Sequence, residues 1–405
     1  MPYPHFPTEP VPRFRDHWRY CRQSIRQGFN LRRNWRYVRR FGKPVRDVHG
    51  VGLFQQLVAI CWLALRYHIH PEAYYYFRMY AQPLSHAPLY IISSAQKARM
   101  RFTRMGLGGE LDCLRFKRRF ENICRDAGLA VASTVAEFNK GQILWCYGDR
   151  LPDCDLFCKH AASEQGAGAD TWDYLGNRQW RTMAGEVLDE ATLLDELTKI
   201  SLKEPLLLQV KLRSHPEITD ISPGGISSLR VITGIDLATS EIRVYATTFK
   251  MLKAGEVTDH WKHGGVASGV DIDTGTLRPG RIREVSKAYM DFHQHPDTGA
   301  TITGRKLALW PEVVKLTTSA HALYKQFPFL GWDVAMTPDG PVLLEGNLGW
   351  DARLIQQPCD YPLGAPAFFK DYYPWYEKAM KQGKALPDQP LYYGWKHSLK
   401  ALGKV

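Results

Sequence analysis

With 405 residues, 44% apolar and 23% charged, the chain is long enough for two or three domains with a sizeable core and has the composition of an ordinary globular protein. Eight cysteines with no C-x-x-C pair, and a start (Met1-Pro2-Tyr3-Pro4-His5-Phe6-Pro7) without an apolar signal segment, argue against a disulfide-stapled secreted protein; the expected location is a reducing cytoplasm. The net charge of +12 is uneven: residues 1–120 carry 22 Lys and Arg against 6 Asp and Glu, the remainder 31 against 35, so the first part is expected to face an acidic partner or to be a solvated helical surface.

Residues 1–12 are Pro-rich and read as an irregular arm. From Asp16 to Arg40, Trp18, Ile25, Phe29, Trp35 and Val38 alternate with arginines, the pattern of one or two basic amphipathic helices. The apolar run Leu53–Leu65 is too short to span a bilayer and reads as a buried helix, with an interfacial helix lying on a membrane as the alternative. Pro71, Pro83 and Pro88 then cut the chain into short helical pieces. After about residue 110 the pattern changes. A helix is expected over Leu114–Ala127, ended by Gly128, followed by strands at Gln142–Tyr147, Leu156–His160, Leu206–Lys211, Ser228–Ile235, Ile242–Met251 and Val266–Ile272, with helices at Leu188–Ser201 and Pro311–Gln326. This is an α+β chain whose chemistry sits on a mostly antiparallel sheet.

The most informative stretch is Gly331–Asn347, which reads as two strands around Pro338-Asp339-Gly340. Glu345 and Asn347 share a strand face and the turn returns Asp333 beside them, giving a three-oxygen cluster suited to Mg²⁺ on nucleotide phosphates; a solvated surface hairpin is the competing reading. Upstream, Lys159 ends a strand and leads into Ala161–Ala169, where small residues and Gly166 and Gly168 would let a loop fold over phosphates.

Taken in order, Lys117, Lys159 with its loop, the strand Leu206–Lys211 and Asp333…Glu345-x-Asn347 resemble the ATP-grasp superfamily, and the segment from about 110 to 380 resembles its sugar-transfer-associated group. The resemblance implies two α+β subdomains gripping ATP, here residues 111–212 (nucleotide-binding) and 213–385 (catalytic and metal-binding), after a basic, mainly helical region 1–110 and before a tail 386–405. It also implies roles. Lys117 and Lys159 would contact phosphates; Ser163, Gly166 and Gly168 belong to the closing loop; Gln209, Lys211 and Leu212 fall at the adenine hinge and Glu217 at the ribose. Asp333, Glu345 and Asn347 would hold one or two Mg²⁺ ions. One departure stands out: D-alanine ligase-like enzymes have an arginine two residues before the first metal aspartate, and this chain has Gly331. The replacement cation is sought in Arg230, then Lys250, then Arg353. His260, in Asp259–Val266, is a candidate general base against the plainer reading of a polar loop residue.

The implied activity is an ATP- and Mg²⁺-dependent carboxylate–amine ligase of the acid–amino acid type, working through an acylphosphate on small-molecule partners such as a sugar acid or amino acid. Two alternatives remain at this point: a phosphotransferase on the same fold, and a binder of nucleic acid or another anionic polymer through the basic N-terminal region, with peripheral contact at the inner face of a membrane as a further use of that region.

Overall fold

The computed structural model describes residues 30–67, 69–90, 112–146, 148–160, 169–256, 261 and 264–382. These fall into two compact units, one drawn from within Met1–Phe102, Glu284–Met290 and Asp360–Val405, the other from Thr103–Arg283 and Asp291–Cys359.

The first unit is helical. Helix α1 (Leu31–His49) starts at Asn30, whose side chain accepts from Arg33 N, and stops at Gly50, which takes the left-handed conformation at φ 74°. Helix α2 (Leu53–Tyr67) folds back on it, and the short α3 (Pro71–Tyr76) puts Pro71 at a helix start, where its missing N–H costs nothing. Two 3₁₀ turns follow at Met79–Ala81 and Leu84–Leu89. Short pieces thus begin at Pro71 and after Pro83 as expected, whereas Pro88 lies inside the second 3₁₀ turn and breaks nothing. Chain from the far end completes the unit, where Gly364 N donates to Leu89 O at 2.8 Å.

The second unit carries two antiparallel sheets. After α4 (Asp112–Arg115) and α5 (Lys117–Asp126), the first sheet is built from β1 (Thr134–Asn139), β2 (Gln142–Trp145), β3 (Leu156–His160), β4 (Asp170–Gly176), β5 (Gln179–Thr182), β6 (Val187–Asp189) and β7 (Leu206–Val210), in the order β2-β1-β7-β3-β4-β5-β6. One face packs on α6 (Glu190–Ser201) through Phe138, Leu156, Cys158, Trp180, Leu193, Leu197 and Leu208. The second sheet comprises β8 (Ser228–Ile235), β9 (Ile242–Met251), β10 (Val266–Val270), β11 (Leu277–Ile282), β12 (Phe329–Thr337) and β13 (Gly340–Asn347), ordered β11-β10-β9-β8-β12-β13. Its buried strands read as near-continuous apolar runs because helices cover it: α7 (Trp310–Ala322) packs on β8, β9, β12 and β13, and α8 (Ala352–Cys359) on β9, β10 and β11.

The helix expected over Leu114–Ala127 is interrupted at Phe116, so Lys117 opens α5 rather than lying mid-helix. A polar relay fixes α7 against its sheet: Trp332 Nε1 donates to Thr233 Oγ1 at 2.7 Å, Thr233 Oγ1 lies 2.6 Å from His321 Nδ1, and His321 Nε2 lies 2.8 Å from Phe327 O. Because the carbonyl can only accept, His321 carries its proton on Nε2 and takes the threonine hydroxyl on Nδ1. Burial, partly offset by the Phe327 carbonyl, pushes its pKa down to about 4.

Candidate active site

The hairpin β12–β13 forms as its turn residues require, with Thr337 paired to Gly340 across Pro338-Asp339 and Gly340 at φ 116°, a conformation open to glycine. Register then decides what meets what. Asp333 pairs with Glu345 on one side and with Arg230 on the other, while Lys250 pairs with Ser228, two residues from Arg230. Directly paired residues of an antiparallel sheet share a face, as do residues two apart on one strand. Arg230, Lys250, Asp333, Glu345 and Asn347 therefore converge on one face. The other face carries Leu229, Val231, Phe249, Met251 and Trp332 in the core beneath α7.

The contacts are tight. Arg230 grips Asp333 with both arms of its guanidinium, Nε to Oδ1 at 2.5 Å and Nη2 to Oδ2 at 2.8 Å, and Lys250 Nζ lies 3.7 Å from Oδ1. Burial alone would raise Asp333, but Arg230 and Lys250 hold its carboxyl well below the usual carboxylate range. Glu345 moves the opposite way, pushed up first by burial and then by the adjacent Asp333, to which it is hydrogen-bonded. Asn347 Nδ2 donates to Glu345 Oε1 at 3.1 Å.

The first sheet and helix α5 add one cation each. Lys159, half-buried on β3, has its ammonium pushed down to about 8 by burial and then by the field of Lys117, with Glu345, Asp333 and Glu121 pulling the other way. Lys117 is likewise lowered by burial and drawn back up by Glu345. Lys159 thus feels Lys117, Glu345 and Asp333, and Lys117 feels Glu345, within one low-dielectric neighbourhood.

Glu121 has no counterpart in the sequence reading. It is 2% exposed and accepts from Thr134 N at 2.9 Å, from Arg118 at 3.1 Å and from Arg125, tying α5 to the start of β1. A lone acid in Lys117-Arg118-Arg119-Phe120-Glu121 was the available signal.

The remaining candidates lie further out in the hydrogen-bond network. Gln209 is buried and donates to Thr134 Oγ1 at 3.3 Å, whereas Lys211 Nζ pairs with Asp173 at 2.7 Å on β4 and Leu212 is half-buried just beyond β7. Glu217 lies in the 3₁₀ helix Pro216–Ile221 with its carboxylate 54% exposed and its backbone carbonyl accepting from Arg305 at 2.7 Å. Arg353 is half-buried in the first turn of α8, its N–H bonded to Asp351 at 3.0 Å, and α8 is anchored on the candidate face where Thr248 Oγ1 donates to Leu354 O at 2.9 Å. Ser163, Gly166, Gly168 and His260 lie outside the described residues.

Residues 108–362 match the profile of the family described as sugar-transfer associated ATP-grasp. Similar solved structures include the L-amino acid ligase from Bacillus licheniformis, at 12% identity and TM-score 0.33, covering 60% of this chain and 43% of that one. Others are a D-alanine–D-alanine ligase from Bacillus anthracis (9%, TM-score 0.34, 66% and 70%) and one from Coxiella burnetii (8%, TM-score 0.32, 68% and 61%). The chain spans less than half the length of the first of these. No curated protein sequence matches it.

Proposed function

Since this chain belongs to the sugar-transfer associated ATP-grasp family, we propose that it is an ATP- and Mg²⁺-dependent ligase that joins a small-molecule carboxylate to an amine through an acylphosphate. What supports the reading is the convergence of Lys117, Lys159 and the Asp333–Glu345 pair in one electrostatic neighbourhood. Such a site has no structural need for two buried carboxyls that raise and lower one another.

The donor set fits a hard divalent cation. Asp333, Glu345 and the Asn347 amide are oxygen donors on one strand pair, and Glu345 is raised first by burial and then by the Asp333 charge, which a cation would offset. Among the described residues no three carboxylate, histidine or cysteine side chains meet, so oxygens from outside the protein would complete the shell. When bound there, Mg²⁺ would neutralise charge on the phosphate oxygens.

The protein's own groups do the rest. Lys117 and Lys159 hold the phosphates while a substrate carboxylate oxygen bonds to the γ-phosphorus and the bond from that phosphorus to the bridging oxygen breaks, releasing ADP. The amine then bonds to the acyl carbon, phosphate departs with the C–O bond's electrons, and the amine gives up a proton; His260 is the proposed acceptor. Arg230 and Lys250 face the oxyanion that develops at this step. Arg230 is held in plane by Asp333, so its position is set before substrate arrives.

The test is ADP formation with Mg²⁺ across a matrix of carboxylic acids and amines, with product masses read alongside. Turnover that depends on one acid–amine pair and yields the amide supports the ligase. A stable phosphate ester would make it a phosphotransferase, and absence of ATP binding would remove both.

A further inference from the structure

Helix α2 is apolar on two faces: Ile60, Leu63 and Ala64 are buried together with Gln56, and a second apolar stripe is turned outward. Its buried positions include Gln56, at 0% exposure, while Phe54, Val58, Trp62 and Leu65 stand 75, 51, 41 and 41% exposed. These four are spaced four, four and three residues apart, which places them within about 80° of arc on one helix face. No charge interrupts that stripe.

A polar lock fixes which of the two apolar faces is turned outward. Gln56 Nε2 donates to Gly42 O at 3.0 Å and Val51 O at 2.7 Å, and its Oε1 accepts from Tyr75 OH at 2.9 Å. A Cβ at Gly42 would stand 2.7 Å from Gln56 Oε1, so the lock needs glycine at that point of α1. On the neighbouring turns Asn34 Nδ2 donates to Cys61 at 3.3 Å. Two buried amides thus hold α2 against α1 with its apolar stripe outward, and the pair meets at 118°.

The partner helix supplies the charge. Arg32, Arg36, Arg39, Arg40, Lys43 and Arg46 are exposed on α1 and share about 120° of arc. The one acid on that helix, Asp47, is paired with Arg46 at 2.8 Å. No single described helix is long and apolar enough to cross a membrane. An apolar stripe held outward on one helix and a dense cationic face on the helix packed against it are instead the composition of a surface-seated device, in which aromatic and aliphatic side chains enter the headgroup boundary and cations meet anionic lipid.

From this we infer that helices α1 and α2 form a docking surface for an anionic lipid bilayer, with Phe54, Val58, Trp62 and Leu65 inserted and the α1 cations on the headgroups. The inference does not rest on the ligase reading. A membrane-seated enzyme would act on an acid or amine carried on a lipid or made at the membrane, but the surface stands without that.

Flotation of the full chain with large unilamellar vesicles tests it, comparing phosphatidylcholine alone with phosphatidylcholine containing three parts in ten phosphatidylglycerol. Binding is expected to the anionic vesicles in 50 mM NaCl, and to weaken at least tenfold in 0.5 M NaCl. Reversing two cations (Arg36→Glu with Arg39→Glu) should weaken it by more than about 25-fold, taking on the order of fivefold per basic residue lost. Phe54→Gln with Trp62→Gln should cost at least about tenfold through lost apolar insertion. Val58→Gln with Leu65→Gln provides a second pair should the first impair folding. No binding to anionic vesicles, or equal binding by both apolar variants, overturns the inference. So does a dimer in light scattering that the apolar variants dissociate while vesicles remain unbound, which would make a second copy the occupant, or salt-sensitive RNA binding without vesicle binding.

Discussion

The carboxylate pair should separate stability from activity in a way that ordinary active-site substitutions do not. Asp333 and Glu345 are neighbours on paired strands, yet their environments have pushed them in opposite directions. Asp333→Asn removes the charge that compensates Arg230, whose side chain is only 12% exposed and whose two nitrogens sit 2.5 and 2.8 Å from the carboxylate. Coulomb attraction at about 3 Å with an effective dielectric near 20 is of order 5 kcal/mol. The asparagine retains one acceptor for the guanidinium, so the net cost falls at the low end of the range for breaking a buried pair, about 3 kcal/mol. Glu345→Gln should behave differently. Burial and the Asp333 charge already disfavour its ionised form, and a glutamine can still accept from Asn347, so the cost is under about 1 kcal/mol. Both variants should lose Mg²⁺-dependent ATP turnover. Thermal unfolding and ADP release on the three proteins form the assay: Asp333→Asn is expected to melt several degrees lower than the parent, with Glu345→Gln close to it. Equal melting of the two variants would refute the account of Arg230, and full turnover in Glu345→Gln would remove that residue from the metal site.

Three further outcomes follow from the geometry. Lys159, pushed down to about 8 by burial and by Lys117, must be protonated to hold phosphate, so kcat/KM for ATP should fall as pH rises above about 8; in Lys159→Met it should be about 100-fold lower at neutral pH and lack that limb. His321, pushed down to about 4, refuses a proton that the unfolded chain accepts below about 6.5. Stability is therefore greatest above that pH and declines by roughly 1.4 kcal/mol per unit as pH falls, to a limit of about 3 kcal/mol, a slope that urea unfolding should find reduced in His321→Gln. Gly269→Ala would set a Cβ 2.6 Å from Pro358 O and 2.7 Å from Cys359 Cα, backbone that α8 cannot easily move; a loss of about 1–3 kcal/mol in thermal or urea unfolding is expected.

Much of the second sheet is legible because its strands are buried on both faces. Ser228–Ile235 and Ile242–Met251 are uninterrupted runs rich in β-branched and aromatic residues, and the strands match those bounds. The meander β4–β6 is harder to see. Its edge strands are half-exposed and polar, and its turn places Asn177 and Arg178 at φ 51 and 58°, a conformation that nothing in an arginine announces. Helix α8 is obscured for a related reason: Gln356, Gln357 and Pro358 read as a loop, yet all three are buried where the helix lies on the sheet. For the site, the hairpin could be read from turn chemistry and the two-residue strand period. Lys159 could be picked out only by the small-residue loop that follows its strand, and Lys117 not at all, since a lysine at a helix start looks solvated until its neighbours are known; it came from the family resemblance. Glu121 escaped because an acid among the arginines of a basic helix reads as surface charge, and only the fold shows that it is buried.

The absent arginine before Asp333 has a physical explanation in the packing of the hairpin. At Gly331 a Cβ would lie 2.8 Å from Trp350 Cβ and 3.3 Å from Ile232 Cδ1, so no side chain fits on that side of the strand. The same register that crowds Gly331 against Ile232 sets Arg230 directly opposite Asp333. The guanidinium thus arrives from the adjacent strand and reaches the carboxylate in a two-armed grip, a geometry that a lysine at position 230 could not reproduce. Lys250 brings a second positive charge to the same oxygen from one strand further along. Because Arg230 stands on β8, its placement against Asp333 depends on strand pairing rather than on local sequence. Arg230→Lys should consequently lose most activity despite keeping the charge, whereas Lys250→Arg should be better tolerated, because Lys250 acts at 3.7 Å as a point charge and makes no fork. Steady-state kinetics on the two variants decide this, and comparable losses in both would mean that charge alone, and not the planar grip on Asp333, is what the site requires.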